Sequence, residues 1–316
     1  MGEEKKVDIM KHKIVGIGGA NIDINFKVKN EFLLRDSNPG KLLLSSGGVT
    51  RNILENLSRL GQDCAILTAV GEDKFGEIIL KSCRDAGIDT SAVHMCSSAS
   101  SSYISLIDPE GDMFIGACDA DILESLPLTV IEKWEDTLKA ADVIVCDTNW
   151  TGSQLEKIIS IAGDVPIFID PVSTSKAIRM REHCSAFHTI KPNRIELEIL
   201  SGLECSSDKD IERACSKLIS KGTFSVVVSL GSKGCYYADA KGNSFFKEPV
   251  KTENMVNASG AGDAFMAGLV YSYVKGYTPE DTVNTALACG SIAVMSTETI
   301  NEEMSEALVK SRVFGQ

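Results

Sequence analysis

Short apolar runs rich in β-branched residues alternate with amphipathic helical patterns along the first two thirds of the chain. The runs and the patterns between them predict strands at 12–18, 64–70, 143–146, 167–170, 187–190 and 225–230, and helices near 49–60, 75–86, 129–140, 154–162 and 211–221. Continuously apolar strands separated by helices indicate a parallel sheet that helices cover on both faces. From Ala261 onward the sequence predicts consecutive helices without further strands. We therefore expect an α/β fold.

Two stretches interrupt this alternation. Residues 22–45 carry apolar side chains at every second position from Ile24 to Val28, and residues 101–118 hold two apolar runs around a turn at 108–111. Period-two patterns joined by turn residues predict hairpin strands. We expect these strands to lie outside the main sheet.

Composition narrows the classes of function. The formal net charge is −12 and no basic cluster follows Lys5-Lys6, so the positive surface of a polyanion-binding protein is missing. We therefore expect a small-molecule substrate and no nucleic acid. No apolar run approaches the roughly 20 residues that span a bilayer, and residues 1–11 predict a flexible tail without a signal-peptide core. The ten cysteines are scattered without a Cys-x-x-Cys pair, which argues against zinc and disulfides and predicts a cytoplasmic protein.

Residues 257–270 form the segment with the clearest chemistry. The small residues Gly260, Ala261 and Gly262 lead into Asp263 and then into an apolar helix. Glycines allow a ligand to approach the backbone, and the free N–H groups and positive dipole end of a helix start bind anions. A carboxylate in this anion hole suits a general base that takes a proton from a hydroxyl while the N–H groups hold a phosphoryl group. The alternative is an ordinary glycine-rich helix start with Asp263 in its first turn.

Four short motifs follow one another along the chain. They are the segment 46–52 (Ser-Gly-Gly-Val-Thr-Arg-Asn), the segment 191–196 (Lys-Pro-Asn-Arg-Ile-Glu), the turn 229–234 (Ser-Leu-Gly-Ser-Lys-Gly) and the loop 257–263 (Asn-Ala-Ser-Gly-Ala-Gly-Asp). In this order they resemble the signatures of the ribokinase-like (PfkB) carbohydrate kinases, from about residue 16 to residue 295. The resemblance implies a three-layer α/β/α kinase domain over 12–316 with a mostly parallel central sheet. It also implies a small β lid formed by about 22–45 and 101–118, which is often shared across a homodimer.

The resemblance implies a sugar-binding site at Asn21, Asp23, Gly47, Gly48 and Asn52. A carboxylate such as Asp23 suits a vicinal diol because both of its oxygens accept hydrogen bonds. Asn52 lies one turn into the helix that follows Gly48, where its amide can bind a further hydroxyl. The alternatives are a turn aspartate and a glycine-rich helix entry with an exposed Asn52.

The resemblance also implies a nucleotide site. Its residues would be Asn193, Ser229, Gly231, Lys233 and Gly234 together with the anion-hole glycines Gly260 and Gly262, and Glu196 and Asn193 would hold Mg²⁺ beside the phosphates of ATP. Amide and carboxylate oxygens are suitable ligands for a hydrated Mg²⁺ ion. Asn193 and Glu196 also fit a capping box, because they stand three residues apart at a predicted helix start. The turn at 231–234 fits a simple hairpin connection.

One departure from the family concerns a second cation. Asn257 stands where the family's loop usually begins with Asp, a residue that helps to bind a monovalent cation. The general base Asp263 is retained. The departure leaves the chemistry intact and puts activation by K⁺ in question.

Within the family, the segments 18–23, 47–57 and 170–177 resemble the branch that phosphorylates pseudouridine. We therefore expect ATP-dependent phosphorylation of a nucleoside 5′-hydroxyl, with Asn25, Lys41 and Ser45 as candidates for contacting the base. No role is assigned to Arg51, for which the simplest interpretation is a solvated residue of the helix. The alternatives are a kinase of ribose, fructose, uridine or adenosine, and a non-catalytic relative that binds sugars or nucleotides.

Overall fold

The structure is a computed structural model that describes residues 13–250, 252 and 255–315. The flexible tail predicted at 1–11 lies outside the described residues. The strands of the described part are β1 (Lys13–Ile17), β2 (Asn21–Val28), β3 (Gly40–Gly47), β4 (Asp63–Leu67), β5 (Ala69–Gly71), β6 (Ile88–Asp89), β7 (His94–Cys96), β8 (Ser102–Ile107), β9 (Met113–Asp119), β10 (Val143–Asp147), β11 (Ile167–Asp170), β12 (Thr189–Ile190), β13 (Ser225–Ser229), β14 (Cys235–Asp239) and β15 (Ser244–Lys247).

Helices fill most of the connections between these strands. They are α1 (Val49–Arg59), α2 (Lys74–Asp85), α3 (Asp121–Glu124), α4 (Leu128–Glu132), α5 (Glu135–Lys139), α6 (Gly152–Ala162), α7 (Thr174–Ala177), α8 (Arg194–Ser201), α9 (Asp208–Ser220), α10 (Ala261–Val274), α11 (Pro279–Ala293) and α12 (Glu306–Phe314), with 3₁₀ turns at Ile178–Ala186 and Gly231–Lys233. The prediction of consecutive helices from residue 261 onward is confirmed for the described residues.

The main sheet built from the described residues has nine strands in the order β15-β14-β13-β12-β11-β10-β1-β4-β6. Strands β6, β4, β1 and β10 to β13 run parallel, and β14 and β15 extend the edge as an antiparallel hairpin. One face is covered by a core that includes residues of α4 to α6, α8 and α9. The other face is covered by residues of α1, α2, α10 and α11. The predicted three-layer α/β/α arrangement with a mostly parallel sheet is confirmed.

A second sheet forms the lid, in the order β3-β2-β8-β9. The predicted hairpins are both present, because β2 pairs with β3 and β8 pairs with β9 in antiparallel fashion, while β2 and β8 join them in parallel. Side chains alternate between the two faces of each strand. The register therefore assigns each lid residue to one of two faces. It determines which side chains lie on the same face as Asp23 and which lie on the opposite face.

Three predicted elements differ from the structure. The helix predicted at 129–140 is divided into α4 and α5, because Trp134 between them is buried and donates from Nε1 to the carbonyl of Ala92 at 2.8 Å. The strand predicted at 64–70 is divided into β4 and β5, and the strand predicted at 187–190 contains only the two residues of β12. No helix within the described ranges combines the length and the apolar character needed to cross a membrane.

Candidate active site

Asp147 holds together three chain segments at the carboxyl ends of the central strands, where the candidate site lies. It is the last residue of β10, is fully buried, and accepts five hydrogen bonds from backbone and side-chain donors of Gly19, Thr50 and Asn149. These donors belong to the β1–β2 connection, the start of α1 and the loop after β10, so one carboxylate fixes three segments. Sequence reasoning missed Asp147 because Gly19 and Thr50 lie 128 and 97 positions away along the chain.

A cavity of about 460 Å³ lies between the lid and the carboxyl ends of the main strands. Four of the predicted sugar-site residues line it, namely Asn21, Asp23, Gly48 and Asn52. Asn21 donates from Nδ2 to Oδ1 of Asp23 at 2.6 Å. Burial raises the pKa of Asp23, and the bond from Asn21 and the charge of Arg51 oppose that rise only in part. The structure therefore brings these predicted residues together in one concave site.

Gly47 does not line the cavity but makes room for Asp23. A Cβ atom at position 47 would lie 2.2 Å from Oδ2 of Asp23, which no side chain could tolerate without displacing the carboxylate. Gly48 has φ 103° and caps the start of α1, and a Cβ atom there would lie 2.4 Å from the carbonyl oxygen of Gly19. The glycine pair thus lets the lid strand β3 turn directly into α1 beside the site.

The same cavity is also lined by polar groups to which sequence reasoning gave no role. They belong to Asn149, Ser173, Ser175 and Lys176, and Lys176 donates from Nζ to Oδ1 of Asn149 at 2.5 Å. Val172 also lines the cavity and has φ 63°, which is strained for a β-branched residue. Strained backbone of this kind concentrates at binding and catalytic sites. The sequence of segment 170–177 supported the family resemblance but did not indicate that its loop faces the cavity.

The lid contributes different residues from those predicted. Asn25, Lys41 and Ser45, the candidates for contacting a base, are not among the cavity-lining residues. Tyr103 and Cys118 line it instead. Asp23 pairs with both Tyr103 and Ser45, and Tyr103 pairs with Cys118, so these side chains form one row on the same face of the lid, and within that row Ser45 lies outside the cavity lining.

Asp263, the predicted base, lies at the third position of α10, and its carboxylate accepts from Nδ2 of Asn52 at 2.9 Å. Burial raises the pKa of Asp263 to about 7, and the nearby carboxylates of Asp170 and Asp147 add to the rise. The Asn52 hydrogen bond and the charge of Lys191 lower it only in part. A carboxyl group with this pKa can exchange a proton near neutral pH, which is what a general base requires.

A buried ion pair lies next to this carboxylate. Lys191 follows β12, and its Nζ atom lies 2.9 Å from Oδ2 of Asp170 at the end of β11. Burial alone would lower the pKa of Lys191, but Asp170 outweighs that effect and holds the pKa above its ordinary value. The same Nζ atom would lie 3.5 Å from a Cβ atom at Gly262. The pair therefore holds a positive charge beside the anion-hole loop, although sequence reasoning gave Lys191 no role.

The anion-hole loop requires glycine at its turning point. Gly260 caps α10 with φ 77°, and a Cβ atom there would lie 2.0 Å from the carbonyl oxygen of Thr299. Asn257, at the start of the loop, accepts from the backbone N–H of Ser259 at 3.0 Å and donates to the carbonyl of Thr297 at 3.2 Å. The structure therefore presents Gly260, Ala261 and Gly262 at the first turn of a fourteen-residue helix, with Asp263 directly after them.

A second cavity, of about 470 Å³, brings together part of the predicted nucleotide site. Asn193, Ser229, Gly231 and Lys233 line it. Gly234 does not, and its role is in the turn itself, since it has φ 83° and a Cβ atom there would lie 2.0 Å from a backbone carbonyl oxygen of Lys247. Four of the predicted nucleotide contacts therefore share one concave surface.

Asn193 and Glu196 form the capping box that the sequence left open as an alternative. Oδ1 of Asn193 accepts from the N–H of Glu196 at 2.9 Å, and Oε2 of Glu196 accepts from the N–H of Asn193 at 2.8 Å. Within the described part of the chain, Oε1 of Glu196 makes no hydrogen bond, and no group of three or more His, Cys, Asp or Glu residues is placed to hold a metal. One free carboxylate oxygen fits a hydrated Mg²⁺ ion that takes its other ligands from water and phosphate.

Comparison with known proteins places this geometry in a family. Residues 11–306 match the profile of the pfkB family carbohydrate kinases. The chain is 37% identical to the pseudouridine kinase of Escherichia coli K12 over 307 residues, which is 96% of this chain and 97% of that protein.

Solved structures show the same fold. Arabidopsis thaliana ribokinase complexed with ribose and ATP superposes with a TM-score of 0.87 at 19% identity, covering 96% of this chain and 99% of that one. A carbohydrate kinase from Agrobacterium tumefaciens gives 0.85 at 24% identity, covering 96% and 97%. The chain belongs to the pfkB family of carbohydrate kinases and is an ATP-dependent sugar or nucleoside kinase.

Proposed function

We propose that this kinase transfers the γ-phosphoryl group of ATP to the 5′-hydroxyl of pseudouridine. The observation that carries the proposal is a cavity lined by more polar side chains than a sugar diol requires. Asp23 offers acceptors for a ribose diol, and Asn149, Ser173 and Lys176 of the same lining offer further donors and acceptors. A free pentose would need only the first group, whereas a nucleoside brings a planar base whose carbonyl and N–H groups need the second. The similarity to the E. coli pseudouridine kinase supports the same substrate.

In the proposed reaction, Asp263 removes the proton of the 5′-hydroxyl. The oxygen forms its bond to the γ-phosphorus as the bond from that phosphorus to the bridging oxygen of ADP breaks, and the proton remains on the Asp263 carboxylate. The N–H groups around Gly260, Ala261 and Gly262 would bind the charge on the transferring group, with the ammonium group of Lys191 beside them. Positioning and electrostatic stabilisation supply most of the rate in this class of reaction.

Nucleotide binding is assigned in the same proposal to the second cavity and the anion-hole loop. Asn193, Ser229, Gly231 and Lys233 would contact ATP, with Gly234 shaping their turn. Glu196, with the Asn193 cap holding it in place, would face the Mg²⁺ ion of the nucleotide. The bound ion would neutralise the charge of the phosphates.

Turnover of a matched substrate panel tests the proposal. ADP release and product mass would be measured with Mg-ATP and pseudouridine, uridine, adenosine, ribose or fructose. Pseudouridine is attached to its ribose through a ring carbon and carries an N–H group at the edge of the base where uridine has its C5–H group, so preference between the two reports on base recognition. We expect the highest kcat/KM on pseudouridine and a product heavier by one phosphate. Preference for ribose or fructose would contradict the substrate, and silence on every acceptor would favour a non-catalytic binding protein.

We also propose that two copies associate through the outer face of the lid. A row that alternates with the cavity-facing one runs across all four strands and contains Ile24, which packs against the core, and the more exposed Leu44, Ile104 and Ala117. The next row on that face contains Phe26, Leu42, Leu106 and Ile115. Leu44 and Ile104 are 45% and 39% exposed, and Leu42 and Ile115 are 57% and 55% exposed, an unusual state for apolar side chains in two adjoining rows. A second copy of the same face would cover them with matching chemistry.

A further inference from the structure

The guanidinium group of Arg51 is buried at the meeting point of three elements. The residue is 4% exposed, so the interpretation of a solvated helix residue is wrong. Nη1 donates to the carbonyl of Ser46 in the lid strand β3 at 3.1 Å, and Nη2 donates to Oγ of Ser82 in α2 at 2.7 Å. Nη2 also pairs with Oε2 of Glu55 one turn along α1. Burying a charged side chain is costly unless it is paired, and this one is held by a complete set of acceptors around both terminal nitrogens.

Arg51 also makes a contact with the neighbouring Asn52 that determines how the amide is oriented. Nη1 donates to Oδ1 of Asn52 at 3.0 Å, while Nδ2 of Asn52 donates to Oδ2 of Asp263 at 2.9 Å. A guanidinium group has donors and no acceptor, so only the oxygen of the amide can face it. The amide nitrogen must then point at Asp263. A flipped amide would place its oxygen against the carboxylate, which would favour the protonated carboxyl group.

We propose that Arg51 is a positioning residue that fixes the Asn52 amide so that it donates to Asp263 and keeps this carboxylate in the ionised form that can accept a proton. The inference rests on the proposed role of Asp263 as the base. The other groups that act on Asp263 come from different elements, namely Asp147 of β10, Asp170 of β11 and Lys191 after β12. None of these three depends on Arg51, so the effect of Arg51 can be separated from theirs.

A charge-balanced double variant provides the test. R51M alone would leave the Glu55 carboxylate buried without its partner, whereas R51M/E55Q removes both charges and protects the fold. Arg59 is a matched control, because its guanidinium pairs with the other oxygen of Glu55 at 2.9 Å and makes no hydrogen bond to Asn52. The pH dependence of kcat/KM would be measured with Mg-ATP and the best acceptor of the wild-type protein, alongside thermal stability.

We expect the acidic limb of the R51M/E55Q profile to move about one pH unit toward alkaline pH, because a hydrogen bond to a charged group is worth roughly a factor of ten in ionisation. Activity at pH 7 should fall several-fold and recover above pH 8, with KM for ATP unchanged, while R59M keeps the wild-type profile. Adding N52A to the double variant should move the limb no further, since Arg51 acts through Asn52.

An unshifted limb in a folded R51M/E55Q variant, or an additive shift on adding N52A, would overturn the inference about Arg51. A different result would contradict the proposed function, namely near-native turnover by D263N. A dead D263N variant combined with an unshifted R51M/E55Q profile would leave the base in place and reject only the positioning role.

Discussion

At the scale of single residues, the proposed reaction and the stability of the fold place opposite demands on Asp263. Its carboxylate is near two other carboxylates, and burial raises its pKa to about 7. The folded protein therefore disfavours the ionised form that the proposed reaction requires. The hydrogen bond from Asn52 and the ammonium group of Lys191 offset this cost in part. A site of this kind is expected to gain stability when the charge is removed and to lose activity at the same time.

The variant D263N separates the two effects. We expect turnover to fall by on the order of 10²–10⁴, because the amide cannot accept the proton. The matched control is D281N, since Asp281 is also the third residue of its helix but is held by the cap residue Thr278 away from the site. Steady-state kinetics of both variants would check this. Near-native turnover by D263N would contradict the assignment of the base.

The same carboxylate predicts two dependences on pH. Wild-type kcat/KM should decline as the pH falls below about 7, as Asp263 takes up a proton. Because the folded pKa lies above the unfolded value of 3.8, the folded state binds the proton more tightly, and the stability conferred by this binding is lost as the pH rises from 3.8 through about 7. D263N should therefore melt at a higher temperature than the wild type at pH 8, and the difference should be clearly smaller at pH 5. Thermal melts at both pH values measure this, and equal differences at the two would exclude the linkage.

Asn257 carries a prediction about monovalent cations. Its amide is neutral and its oxygen and nitrogen are both engaged, with the N–H of Ser259 and the carbonyl of Thr297. We expect wild-type turnover to be the same in K⁺ and Na⁺ buffers of equal ionic strength. N257D restores the acid that the family usually has and should introduce activation by K⁺. Strong activation of the wild type by K⁺, with the same activation in N257D, would show that the effect of the cation does not depend on the residue at position 257.

At the scale of elements, the strand β12 begins in an aromatic cluster at the end of the sheet opposite to the active site. The imidazole of His188 stacks on Phe168 and Phe224 with ring centroids 5.2 and 4.5 Å apart, and contacts Tyr273 edge-on at 4.7 Å. Burial lowers the pKa of His188 to about 4, and the charge of Lys241 adds to the effect. The imidazole is therefore neutral in the folded protein at neutral pH.

This cluster predicts a loss of stability in mild acid. The unfolded chain binds a proton at His188 near pH 6.5 and the folded chain only near pH 4, so stability is complete above 6.5 and falls as the pH drops through that window. H188F keeps the stacking and removes the titration, and should therefore flatten the decline in unfolding free energy between pH 6.5 and 4. H183Q, at the half-buried His183 in the 3₁₀ turn before β12, serves as the control. Urea titrations between pH 6.5 and 4 would measure the unfolding free energy of each variant. If it declined as steeply with pH in H188F as in the wild type, the prediction would be wrong.

At the scale of the whole molecule, the proposed interface on the outer face of the lid predicts the oligomeric state. A lysine at Ile115 would place a charge in the centre of the apolar rows that we propose to join two copies. I115K should sediment as a monomer under conditions where the wild type is a dimer, whereas I178K, at an exposed isoleucine outside the lid, should not change the sedimentation. A monomeric wild type at micromolar concentration would reject the interface, and a dimeric I115K would place it elsewhere.

The fold was largely predictable from the sequence, because continuously apolar strands and amphipathic helices are local patterns. Asp23 and Asp263 could be proposed as site residues because each lies in a short segment that resembles the family's, and their roles stay predictions. Asp147 and Lys191 could not be assigned in this way, since their roles arise from partners that the sheet topology brings together from distant parts of the chain. Arg51 was left without a role because periodicity places a residue on a helix face but does not reveal that a second helix and a lid strand will cover that face.

The packing of α1 against α10 in one core has a consequence for how such a protein can change over generations. The helix that carries Asn52 and the helix that carries Asp263 share this core, so a substitution between them would displace the proposed proton acceptor and its support together. The loop after β11 and the lid row of Tyr103 and Cys118 lie on separate segments that line the acceptor cavity. We therefore expect a change of substrate to require substitutions in these peripheral segments, with the core that holds the proposed base left as it is.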